Sequence, residues 1–74
     1  MKDKRLKFFQ LTSMYLVGKN IKFKFEGYYL SASSLSFDLS FDSSDKSKVW
    51  VERNGDWKSF TDLKVFKSWL EKYV

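Results

Sequence analysis

The dipeptide Asn54-Gly55 lies between two β-favouring runs, Val49-Trp50-Val51-Glu52-Arg53 and Asp56-Trp57-Lys58. Both residues tolerate the positive φ angles of a type I′ turn, whose twist matches two antiparallel strands. A two-residue loop sets Arg53 opposite Asp56 and Glu52 opposite Trp57. Strand alternation then puts Trp50 and Trp57 on one face, diagonal to each other, and Val49 and Val51 on the other. An antiparallel sheet is the framework into which the rest of the chain must fit.

Two upstream runs alternate with the same period of two. Ile21, Phe23 and Phe25 alternate with Lys22, Lys24 and Glu26, while Leu35, Phe37, Leu39 and Phe41 alternate with Ser36, Asp38, Ser40 and Asp42. Each run offers one apolar and one polar face, as a half-buried strand requires. Gly27 reads as a bulge or bend, with Tyr28 and Tyr29 continuing the strand, and Ser31 to Ser34 as a polar connection. Antiparallel pairing of the two runs would set Lys22 and Lys24 against Asp38 and Asp42.

The last segment is helical in pattern. Leu63, Phe66, Leu70 and Tyr73 share one face, widened by Trp69, and Lys64, Lys67, Ser68, Glu71 and Lys72 form the wet side. Ser59 with Asp62, or Thr61 alone, is placed to cap the start. The first segment is ambiguous. Residues 11–17 favour a strand; alternatively, residues 3–17 form a helix ended by Gly18, with Leu6, Phe9, Leu16 and Val17 inward. The expected fold is α+β: an antiparallel sheet of three to five strands, including the Asn54-Gly55 hairpin, packed on one C-terminal helix. The N-terminal segment is a strand or a helix. The helical version resembles the α-β-β-β-α order of double-stranded-RNA-binding domains. Their glycine-rich loop and the Lys-Lys start of their last helix are absent, so the likeness is one of element order alone.

Seventy-four residues suffice for one small domain, with residues 1–5 as a flexible basic tail. The chain lacks histidine and cysteine, while 20% of its residues are aromatic. The usual general base and the usual transition-metal ligands are therefore missing, and no disulfide or Cys/His metal site can staple the fold. Ser is abundant but has no His to activate it, and the three glycines follow no phosphate-loop spacing. Asp38, Asp42, Asp45 and Asp56 are read as solvated carboxylates rather than cation ligands, since they match no EF-hand loop. Glu52 has no second acid placed to work with it. These features point to a non-enzymatic protein with no cofactor, no metal and no small-molecule substrate. No apolar run approaches the roughly 18 residues of a membrane span, and the basic start lacks a signal peptide's form. A cytoplasmic protein without a membrane partner is expected.

Charge is unevenly placed. Residues 1–25 hold seven basic side chains and one acid, residues 26–45 hold four acids and no base, and residues 46–74 hold seven bases and four acids. The helix can cover only one face of the hairpin: if the valine face is buried, the tryptophans are left outside. Trp50, Trp57, Tyr28 and Tyr29, with Lys22, Lys24, Lys48 and Lys58, are thus the candidate partner-binding residues. The leading reading is a protein-interaction module that binds one partner or self-associates. Small phage and mobile-element proteins that inhibit or modulate a host factor, anti-CRISPR proteins among them, belong to that class. The alternative is a DNA- or RNA-binding accessory protein. It would hold phosphates with Lys2, Lys4, Arg5 and Lys7 and stack bases on the aromatics. Arginine occurs only at positions 5 and 53, which favours backbone contact over base reading.

Overall fold

A computed structural model describes residues 3–74. The chain runs α1 (Arg5–Gly18), β1 (Lys24–Glu26), β2 (Tyr29–Ala32), a 3-10 turn (Ser33–Leu35), β3 (Phe37–Phe41), β4 (Val49–Arg53), β5 (Asp56–Phe60) and α2 (Leu63–Tyr73). The five strands form an antiparallel meander in sequence order, and the fold is α+β.

The Asn54-Gly55 turn forms as its residues dictate. Both have positive φ, at 54° and 89°, and the register is Arg53 with Asp56, Glu52 with Trp57 and Trp50 with Ser59. A second tight turn occupies Gly27-Tyr28, where only Gly27 has positive φ, at 59°. The chain bends at Gly27, as one expected alternative has it, but into a hairpin: Tyr28 sits in the turn and Tyr29 opens a new strand instead of continuing the first. A Gly-X pair is the pattern of a type II′ hairpin, and it pairs Glu26 with Tyr29 and Phe25 with Leu30. Two further corrections follow. Ser31 and Ala32 belong to β2 rather than to a connection, and Lys24 faces Ser31 instead of the β3 aspartates. β2 lies between β1 and β3, so the expected lysine–aspartate ladder does not exist.

The N-terminal segment is a helix, against the strand reading of residues 11–17. Phe8, Phe9, Thr12 and Leu16 are buried at helical spacing. They differ from the expected inward set, since Leu6 and Val17 face solvent. The Asp3 carboxylate accepts a hydrogen bond from the Arg5 N–H at 3.0 Å and so starts the helix. Gly18 is its last residue, Lys19 is the C-cap and Asn20, two residues on, takes the left-handed conformation, at φ 59°. Thr12 places its hydroxyl on the Phe8 carbonyl at 2.7 Å, so its burial leaves no polar atom unpaired. In α2 the cap is Asp62 itself, which accepts from the Lys64 and Val65 amides.

Both helices lie against the same face of the sheet. That face presents Leu30, Ala32, Phe37, Leu39, Val49, Val51 and Phe60, which cluster with Phe8, Phe9 and Leu16 of α1 and with Phe66 and Leu70 of α2. Aromatic rings supply much of the cohesion. Phe66 meets Phe8 and Phe60 edge-on, each at 5.2 Å between centroids. Trp69 is half-buried over Phe37 and Phe60.

Two substitutions test this account by urea denaturation. Phe66→Ala removes the ring shared by both helices and β5 and is expected to cost about 3–5 kcal/mol. Gly55→Ala meets no neighbouring atom. Its cost, about 1–2 kcal/mol, comes from forcing a Cβ into left-handed backbone.

Candidate functional site

The face of the sheet turned away from the helices is uncovered, and it is the candidate site. The cross-strand registers arrange it in two rows. One reads Lys24, Ser31, Asp38, Glu52, Trp57, and the other Glu26, Tyr29, Ser40, Trp50, Ser59. Between these positions the strands turn Leu30, Leu39 and Val51 into the core. The tryptophans are therefore left outside: Trp57 is 62% exposed and Tyr29 45%, while Trp50 is half-buried.

Asp38 and Glu52 stand directly opposite one another at the centre of this face. Like charges in that position oppose the pairing of their strands. Among the described residues the one ion pair is Arg5–Asp3, on the other side of the sheet, so neither central carboxylate has an internal counter-cation. Tyr29 leans on the Asp38 carboxylate, which holds its phenol proton more tightly and, with burial, raises its pKa above the usual tyrosine value.

Trp50 is fixed rather than free. Its indole N–H donates to Asp42 Oδ2 at 2.7 Å, and the Lys48 ammonium lies 5.6 Å from its ring centroid. The other oxygen of Asp42 accepts from the amides of Ser44 and Asp45, at 2.9 and 2.8 Å, and from the Ser44 hydroxyl. Asp45 repeats the motif with the amide and hydroxyl of Ser47. The 42–48 loop is thus wound on two aspartates, Asp42 and Asp45, read in the sequence as solvated carboxylates. Their oxygens hold amides and hydroxyls, and Asp56 lies at the far hairpin. No group of three or more His, Cys, Asp or Glu suited to a metal occurs among the described residues.

Of the other candidate residues, Lys24 lies on the uncovered face at the β1 edge, with Lys22 just before that strand. Tyr28 and Lys58 do not join the tryptophans. Tyr28 occupies the turn, and its ring stacks toward Phe41 at 5.2 Å on the helix side. Lys58 pairs with Val51 on the core-facing side of β5, its ammonium 5.5 Å from the Phe60 ring centroid. Arg5 belongs to α1, where Asp3 and the Asp42 carbonyl bind its guanidinium above the Phe41 ring. Lys4 and Lys7 are exposed at the start of α1, and Lys2 lies outside the described residues. The sequence reading missed the opposed Asp38–Glu52 pair because it placed lysines across from β3.

Comparison with protein-family models, curated proteins and solved structures finds no match to the chain.

The Asp42 network has a pH signature. The Trp50 indole, then the Ser44 and Asp45 amides, hold the Asp42 carboxyl well below the ordinary 3.8. A depressed folded-state pKa contributes stability that is complete above the unfolded value and is lost as pH falls through the folded one. The Trp50 indole proton resonance should therefore keep its hydrogen-bonded shift as pH falls past 3.8. Asp42→Ala should move it toward the free-indole position at neutral pH. A resonance titrating at the ordinary value would contradict the network.

Proposed function

We propose that this is a non-enzymatic protein-interaction module that engages a partner protein through the uncovered face of its sheet. One observation carries the reading: two opposed carboxylates without a counter-cation, Asp38 and Glu52, lie among the rings of Tyr29, Trp50 and Trp57. Exposed tryptophan and tyrosine are residue types that anchor protein interfaces. A partner that brings a lysine or arginine between the carboxylates relieves their repulsion and gains cation–π contact with the rings. We place the chain with small proteins that act by occupying a surface of a larger one, the class that includes phage-encoded inhibitors of host factors.

The nucleic-acid reading draws less support from the same geometry. Bases stacking on Trp57 or Tyr29 would bring phosphates toward Glu52 and Asp38, which repel them. Arg5 is engaged within the fold, and Lys58 faces the other way.

Two experiments separate the readings. Fluorescence anisotropy with labelled duplex DNA, single-stranded DNA and RNA at low salt should show no tight binding. A photoreactive side chain in place of Trp57 should cross-link one discrete host protein, and Asp38→Lys with Glu52→Lys should abolish the product. Tight, steeply salt-dependent nucleic-acid binding without that product would reverse the assignment.

A further inference from the structure

A second surface, along α1 and the β1 edge, has a different chemistry. From Lys4 to Phe25 the chain contains no aspartate or glutamate and carries six cations, Lys4, Arg5, Lys7, Lys19, Lys22 and Lys24. Within this stretch α1 is apolar on two sides. Phe8, Phe9 and Leu16 enter the core, yet Leu6, Met14 and Val17 are also exposed, at 53%, 73% and 67%. At 100° per residue these three fall within a quarter-turn of one another, with Gln10 among them, beside the Phe9 edge of the buried stripe. Phe25, itself half exposed, meets Phe9 edge-on at 5.0 Å and extends the patch onto β1.

We propose that this α1–β1 face docks peripherally on an anionic bilayer surface. A soluble fold has no reason to keep a second apolar stripe on a helix whose first stripe already closes the core. What covers it must reward apolar burial and positive charge together. A phosphate backbone rewards the lysines alone. A second copy paired through antiparallel α1 helices would bring Lys4 and Lys7 against Lys19 of its mate. An anionic bilayer meets both demands: acyl chains take Leu6, Met14, Val17 and Phe25, and headgroups take the surrounding lysines. At the β1 edge, a groove of about 390 Å³ lined by Lys22, Phe23, Lys24, Ser31 and Ser33 offers a headgroup phosphate two ammonium groups and two hydroxyls.

No helix among the described residues is long and apolar enough to cross a membrane. Peripheral docking requires none, so it revises the expectation of no membrane partner, which rested on that criterion. The docked surface meets the uncovered face at the β1 edge, where Lys24 and Ser31 share a row with Asp38 and Glu52.

The test is co-sedimentation of the full chain with vesicles of phosphatidylcholine alone and of phosphatidylcholine with about one-third phosphatidylglycerol. The expected result is binding to the anionic vesicles only, weakened by salt. Met14→Glu with Val17→Glu should weaken it at least tenfold, as should Lys22→Glu with Lys24→Glu, while Trp57→Ala has no effect. All substituted side chains are exposed, and circular dichroism checks that each variant is folded. Absence of anionic-vesicle binding, or equal binding by the Met14/Val17 variant, would overturn the proposal. Self-association lost in that variant, without vesicle binding, would assign the face to a second copy instead and also overturn it.

Discussion

Only one side of the sheet is roofed. Five strands, joined by two tight turns, a 3-10 turn and the 42–48 loop, use the middle of a 74-residue chain, leaving one helix at each end. Both helices must lie on the same side, because the apolar positions of β2 to β5 all point there. Phe66 ties that layer together by touching one ring from α1 and one from β5. With no disulfide available, this aromatic core is what holds so small a domain. The bare opposite face follows from the same arithmetic of elements, and it is where the functional reading rests.

The bare face is not merely polar. A sheet face meant only for solvent commonly carries mixed charges that pair across strands. Here two carboxylates oppose each other beside rings exposed to solvent, while basic residues are displaced to the sheet edge, to the core side of β5 and to the helix layer. A protein with net charge +5 thus carries a locally acidic aromatic patch. The 42–48 loop supports one end of it, since the Asp42 carboxylate that organises the loop also holds the Trp50 ring by its N–H. Local folding and site geometry share that one side chain.

How much of this was legible depends on how strongly each residue pattern excludes alternatives. Asn54-Gly55 allows few conformations, so the hairpin, its register and the shared face of Trp50 and Trp57 were readable. Helix α2 was readable because Leu63, Phe66 and Leu70 contrast with the lysines between them. Helix α1 was not, because Leu6, Met14 and Val17 outside and Phe8, Phe9 and Leu16 inside leave no polar side to betray a period. Gly27 is compatible with a bulge or a Gly-X turn, and pairing across the next strand decides between them. That one choice reassigned Tyr28 and the partners of Lys24, and it hid the Asp38–Glu52 opposition. Lys58 was a different kind of miss: alternation already places it on the opposite side from Trp57.

The most direct test of the locally acidic aromatic face is collisional quenching of a variant in which Trp57 is the only tryptophan, with Trp50 and Trp69 replaced by phenylalanine. Caesium and iodide report the charge around an exposed indole. Caesium should quench Trp57 more strongly than iodide does, against the protein's positive net charge, and the preference should invert with Glu52→Lys. Stronger quenching by iodide, or protection from both ions, would contradict an exposed and acidic face and remove the basis for the interaction site.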